Sequence, residues 1–182
     1  MEILRVWAPT ATQVELFSGG RRRAMEAEAG GWWRAVESPG HGEDYALLLD
    51  DQGPFPDPRS PWQPNGIDGP SRRLDHGRFT WRDQGWRAPP LAAAVIYELH
   101  IGTFTPQGTF KAVIERLDHL LELGITHIEL MPVAEFSGTR GWGYDGVDLY
   151  APHHAYGSPE ELKTLVDACH ARGLAVLLDV VY

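Results

Sequence analysis

Over residues 1–49 the apolar positions come in short alternating runs, ILRVWAP, QVELF, WWRAV and DYALLLD, with SGG, AGG and SPGHG between them. A period of two puts every second side chain on one face, so each run reads as a strand with one apolar face and each glycine cluster as a turn. No helical stripe interrupts them. Strands of this kind bury their apolar faces against one another, which predicts a small antiparallel sandwich. Trp32 and Trp33 lie side by side in one strand; one is expected to face the core, and packing is the expected role of the pair.

The next segment, DQGPFPDPRSPWQPNGIDGPSRR, is broken by Pro54, Pro56, Pro58, Pro61, Pro64 and Pro70. Each removes a backbone donor and fixes φ, so neither helix nor interior strand is expected. It reads as a surface connection, ordered or flexible, that continues through RFTWRDQGWRAPP. The predicted division is a β domain over 1–80, a linker over 81–94 and a second domain over 95–182.

Beyond Leu91 the period changes. AVIYELHIGTF is a β-rich apolar run, and TFKAVIERLDHLLELG then sets Phe110, Val113, Ile114, Leu117, Leu120 and Leu121 on one helical face, with Gly124 as its stop. ITHIELMPV is a second strand. SPEELKTLVDACHARG repeats the helical pattern with Leu162, Leu165, Val166 and Cys169. Its start is explicit: Ser158 as N-cap, Pro159 at the first helical position and Glu161 closing a capping box, with Gly173 at the end. LAVLLDVVY is a third strand, apolar as in a parallel sheet covered on both faces. Leu117, Asp118, Gly124 and Ile125 recur at constant offset as Val166, Asp167, Gly173 and Leu174, a weak internal repeat of helix, glycine and strand. Repeated βα units mean an α/β arrangement, and both a doubly wound sheet and a barrel begin this way. HIGTFTPQGTF lacks the G-x-G-x-x-G spacing of a dinucleotide site, which moves the expectation toward the barrel.

Composition narrows the function classes. The 182 residues are 43% hydrophobic, enough for one good core or two small ones. With 25 acidic against 16 basic residues the formal charge is -9, which argues against nucleic acid and anionic membranes as partners and suits a neutral polar ligand. Cys169 is the only cysteine, so no intrachain disulfide forms; it is expected to be a buried apolar residue in a reducing compartment. MEILRVWAPT has no basic segment leading into an apolar core, and no run reaches the length that spans a bilayer. A cytoplasmic location is expected.

The loop containing TRGWGYDGVDLYAPHHAYG carries the candidate chemistry. In a parallel α/β sheet, the loops after the strand C-termini form the active face. Residues 132–157 make a long connection where the other returns are single-glycine turns, and long loops in compact domains are functional or disordered. Trp142, Tyr144, Tyr150 and Tyr156 argue against disorder, and the glycines at 138, 141, 143 and 146 let the backbone turn tightly around them. Flat rings beside Asp145 suit a sugar, whose apolar face packs on a ring while the carboxylate accepts from its hydroxyls. A mini-core that holds the loop down fits the same residues.

Four stretches carry a resemblance: VIYELHIGTFTPQGTF, GITHIELMPVAEF, GWGYDGVDLYAPHHAYGSPEELKTLVDACHARGLAVLLDVVY and, in the linker, DPRSPWQPNGIDGPSR. Over nearly the whole chain they resemble the N-terminal third or so of α-amylase superfamily glucan enzymes, glycoside hydrolase family 13. HIGTF and GWGYDG look like the trehalose-releasing branch; branching enzymes are similar but usually carry Gln where this chain has Asp145. The resemblance implies an immunoglobulin-like, carbohydrate-binding-module-like sandwich, followed by the first three strands and two helices of a (β/α)8 TIM barrel. It implies substrate-binding roles for Trp142, Tyr144, Asp145 and Asp179, with Tyr144 stacked under the sugar at the cleavage site and Asp179 organising that site from the end of the third strand. The implied substrate is maltooligosyltrehalose or a related α-glucan, cut with retention at the α-1,4 bond next to terminal trehalose. A functional pairing with the synthase that makes this substrate is implied, and neither a cofactor nor a metal ion.

In the family the signature begun by DVVY continues with Asn and His, and the nucleophilic Asp, acid/base Glu and second Asp come later. A retaining glycosidase needs two carboxyl groups facing each other across the bond. Glu98, Glu129, Asp145, Asp148 and Asp179 lie near strand ends but are expected in surface or supporting roles, and none is assigned as catalytic. A complete barrel takes about 250 residues, so the chain is expected to be part of a longer polypeptide and inactive alone. A branching transferase and a non-catalytic glucan-binding fragment are the competing readings.

Overall fold

The computed structural model describes residues 2–181. Its N-terminal part is all β. Strands β1 (Arg5–Trp7), β2 (Val14–Ser18), β3 (Arg21–Ala27), β4 (Trp32–Ala35), β5 (Asp44–Leu49) and β6 (Gln52–Phe55) pair antiparallel in the order β1-β4-β3-β2-β5-β6, and β7 (Ser71–Arg72) pairs with β5. β3 changes partner midway: residues 21–24 pair with β2 and residues 25–27 with β4. The alternation that marks β2 is obeyed, with Val14, Leu16 and Ser18 buried and Phe17 exposed. Val14 and Leu16 join Leu4, Val6, Met25, Ala35, Tyr45 and Leu47 in one apolar cluster. Trp33 packs against it and donates Nε1–H to the Ala8 carbonyl at 3.1 Å, whereas Trp32 lies 5.7 Å from the Arg59 guanidinium.

The proline-rich segment is an ordered connection that is mostly exposed or half-buried but has a buried polar interior. Asp57, Ser60, Gln63 and Ser71 are buried. The Tyr45 hydroxyl donates to Asp57 Oδ2 at 2.8 Å, Arg59 N–H donates to Asp57 Oδ1 at 2.9 Å, and Ser71 Oγ accepts from Asp57 N–H at 2.9 Å. Apart from the edge strand β6, which runs through Pro54, and the two-residue β7, the prolines leave no ladder, so the backbone and polar side chains satisfy each other locally and the segment folds around them. The stretch after it is pinned to the helical part. Asp167 accepts from Arg82 N–H at 2.8 Å and from Arg82 Nε at 2.7 Å, and Trp86 stacks on His170 with ring centroids 3.7 Å apart.

The C-terminal part alternates strand and helix. β8 (Ile96–Leu99) leads into α1 (Ile101–Phe104), α2 (Phe110–Ile114) and α3 (Leu117–Glu122), then β9 (His127–Leu130). A hairpin of β10 (Ala134–Glu135) and β11 (Asp148–Pro152) precedes α4 (Pro159–His170) and β12 (Ala175–Leu178). β8, β9 and β12 are parallel, in the order β12-β9-β8. The start of α4 is capped as its sequence demands: Glu161 N–H donates to Ser158 Oγ at 3.2 Å, and Ser158 N–H donates to Glu161 Oε2 at 2.7 Å.

Two elements differ from expectation. The run AVIYELHIGTF stops being a strand at Leu99, because residues 101–104 curl into a helical turn. Gly102 permits it: a Cβ there would stand 2.9 Å from His100 Cε1 and 3.1 Å from Tyr156 Cε1. The single helix expected over 110–123 is two, separated at 115–116 by a tight turn in which Arg116 N–H donates to the Val113 carbonyl. Phe110, Val113, Leu117 and Leu120 remain fully buried with Leu99, Ile128, Leu130, Leu165 and Leu174, while Leu121 turns outward. Cys169 lies in the same core, where burial pushes its thiol up to about 12. Among the described residues no helix is long and apolar enough to cross a membrane.

Candidate functional site

The strand register sorts the side chains of the parallel sheet. Leu99 and Leu130 are neighbours that enter the helix-covered core. Residues one step away face the other side, where Glu98 is the partner of Glu129 and Glu129 of Leu177. Asp179 falls on that same face, held by its N–H to the Leu130 carbonyl at 2.9 Å. Three carboxylates, Glu98, Glu129 and Asp179, therefore share one side of the sheet near its C-terminal end.

Tyr144 comes down onto this side from the loop between β10 and β11. Its hydroxyl donates to Asp179 Oδ2 at 2.6 Å. That hydrogen bond, followed by partial burial and the negative charges of Asp179, Glu98 and Glu129, pushes the phenol up to about 12. The loop reaches this position because of Gly143, whose φ is +87° and whose Cβ, if it had one, would lie 2.2 Å from the Pro132 carbonyl oxygen. No other residue passes there.

Beneath the loop lies a polar cluster. Glu135 is fully buried and accepts from His153 Nδ1 at 3.1 Å, His154 Nδ1 at 2.9 Å and His154 N–H at 2.6 Å. Burial opposes its ionisation, but these donors outweigh burial and hold its carboxyl below the usual range. Among the described residues, these three side chains form a group of the zinc-ligand type, with donor atoms within 4.8 Å of one another. Both Glu135 oxygens already accept from the histidines, while His153 Nε2 is buried without a partner.

Asp148 sits opposite Glu135 in the hairpin, buried, with Oδ2 unpartnered. Burial first, then the charge of Glu135, pushes its carboxyl up to about 6. A native-state value above the ordinary one means that ionisation costs stability as pH rises through about 6, and costs nothing below about pH 4, where both states are protonated. Asp148→Asn is therefore expected to raise Tm by roughly 2–6 °C at pH 8 and to leave it unchanged near pH 4, measured by thermal melts across that range.

Of the residues singled out in the sequence, Tyr144 and Asp179 are brought into contact. Asp145 is exposed beside Tyr144, and Trp142 stands in solvent at 72% exposure. Tyr150 instead meets Arg59, whose guanidinium lies 5.5 Å from its ring. Tyr156 is buried, edge-on to Phe110, Phe136 and His153, so part of the loop is the mini-core considered above. Sequence reasoning did not single out His100, Glu135, His153 and His154. The visible signals for them were a lone charge in the run MPVAEF and the paired histidines of APHHAYG.

The family model described as "Alpha amylase, catalytic domain" matches residues 62–182. The chain belongs to the α-amylase family. This α-amylase family chain is 53% identical to the malto-oligosyltrehalose trehalohydrolase of Arthrobacter ramosus, an alignment covering 97% of the chain and 32% of that protein. It is 36% identical to the 1,4-alpha-glucan branching enzyme GlgB of Vibrio cholerae, over 96% of the chain and 27% of that protein. In three dimensions it is similar to the crystal structure of a putative alpha amylase from Salmonella typhimurium, with a TM-score of 0.93 and 47% identity, covering 98% of the chain and 31% of that structure. The chain thus spans about a third of the length of the curated trehalohydrolase it matches.

Proposed function

We propose that the chain is the N-terminal part of a malto-oligosyltrehalose trehalohydrolase, a retaining glycosidase that cuts the α-1,4 bond next to terminal trehalose. The observation that carries this reading is Tyr144, a ring held by Asp179 on the carboxylate-bearing side of a parallel sheet. A ring fixed at its hydroxyl offers its face to the apolar side of a pyranose, while Asp145 stands exposed nearby to meet hydroxyls. The choice of substrate within the family rests on 53% identity to a trehalohydrolase against 36% to a branching enzyme.

In this reading residues 1–80 are an immunoglobulin-like sandwich, 81–94 the linker and 95–182 the opening strands and helices of a (β/α)8 barrel. Two separate apolar clusters support the division, and three parallel strands with helices between them support the barrel. The catalytic acids come from the remainder of the polypeptide. The enzyme acts in the cytoplasm, downstream of a synthase that makes its substrate.

The test is product analysis with the complete polypeptide. Maltooligosyltrehalose should yield free trehalose and a maltooligosaccharide. New α-1,6 branches in amylose without trehalose release would replace this reading with the branching transferase, and binding of maltooligosaccharides without turnover would replace it with the binding module.

A further inference from the structure

We propose that His100 is a positioning residue that clamps the loop carrying Tyr144 and so sets where the sugar platform stands; the kinetic arm of the proposal rests on the glycosidase reading above. His100 is the first residue beyond β8. Its Nε2 lies 2.8 Å from the Gly141 carbonyl oxygen and 2.9 Å from the Tyr156 hydroxyl. A carbonyl only accepts, so Nε2 carries the proton and the buried Tyr156 hydroxyl shares it. Nδ1 lies 3.2 Å from Thr103 Oγ1, a hydroxyl that donates to it when the ring is neutral. One neutral tautomer satisfies all three contacts.

The consequence lies three residues further on. Glycines at 138, 141, 143 and 146 give this loop many backbone conformations to lose, and each must be suppressed for Tyr144 to meet Asp179. Gly143 is wedged against the Pro132 carbonyl, but that contact only excludes bulk; it supplies no attraction. The bond from His100 to Gly141 does, and it comes from 41 positions earlier in the chain, at the end of another strand. Strand β8 and the platform loop are thereby held in one frame, with the ring of Tyr156 edge-on to His100 as a buried backstop.

His100→Leu keeps volume and removes the donor; His100→Gln places an amide N–H where Nε2 was. The two are compared in the complete enzyme. Arg140 is exposed and immediately precedes Gly141, so limited trypsin cleavage after Arg140 reads the clamp whatever the enzyme's reaction is. The expected result for His100→Leu is cleavage there on the order of tenfold faster, and kcat about tenfold lower with KM within about threefold. His100→Gln should restore both. In a Tyr144→Ala background His100→Leu should lower kcat by less than about twofold, because it acts through that ring. Unchanged cleavage after Arg140, equal acceleration at all tryptic sites, or a full additional kcat loss on top of Tyr144→Ala would each overturn the proposal. If trehalose release is absent, the proteolysis still decides it.

Discussion

Tyr144→Ala lowers kcat of the complete enzyme on the order of 100-fold, and kcat/KM with it. The ring is held at its hydroxyl by Asp179, so it is a fixed platform rather than a mobile contact. A platform that orients the sugar as it flattens toward an oxocarbenium ion contributes to the transition state, and its loss appears in turnover as well as in binding. Tyr144→Phe keeps the face but strips the donor from Asp179, and roughly a tenfold loss is expected. Because the phenol is pushed up to about 12, its hydroxyl stays protonated at working pH, and both losses should be flat between about pH 5 and 9. Tyr144 is 44% exposed, so neither variant should lower Tm by more than a few degrees. Kinetics normalised to folded enzyme, set beside melting curves, check this; a stable Ala variant with unchanged kcat removes the platform role.

Glu135→Ala has the largest expected effect on stability, about 3–5 kcal/mol by chemical denaturation at neutral pH. Glu135 is fully buried and is the acceptor for three N–H groups of His153 and His154, which directly follow β11 and lead into a turn. Removing it leaves the buried His153 donor and the two half-buried His154 donors without their acceptor. The sign with pH follows from the carboxyl's depressed value: its contribution is complete above about pH 4.5 and is lost as pH falls through the lower native value. The gap between wild type and Glu135→Ala should therefore narrow on acidification. A difference below about 1 kcal/mol at pH 7 would show that the histidines find other acceptors.

Much of the framework was legible because its causes are local. The cap residues of α4 act within one turn, and Ser158, Pro159 and Glu161 occupy the places their sequence positions required. Alternation within β2 reports burial on one face, whereas β12, apolar throughout and expected to be covered on both faces, is buried only at Ala175, with Val176 and Leu177 half-buried and Leu178 exposed. By contrast β3, RRRAMEA, was passed over because Met25 is its only buried residue. Its ladder is made by backbone groups, and a strand that shows its side chains to water has no apolar period to betray it. The proline-rich segment misled in the opposite direction. Its prolines limit regular structure to the edge strand β6 and the short β7, but they say nothing about whether the polar residues between them are buried, and Asp57, Ser60 and Gln63 are.

By itself, the sequence determined the order and kind of most elements, the parallel βα grammar, the place of Asp179 at a strand end and the loop that carries Tyr144, since periodicity, capping and glycine spacing act over a few residues. Only the tertiary structure decided which of those residues meet. Tyr144 and Asp179 are 35 positions apart, His100 and Gly141 are 41 apart, and Glu135 finds its histidines 18 and 19 residues away. Each meeting depends on strand register, on the Gly143 passage at Pro132 and on a buried polar group finding a partner rather than water. A polar residue carries the same letter whether it ends in solvent or in the interior, and the path of the whole chain makes the difference.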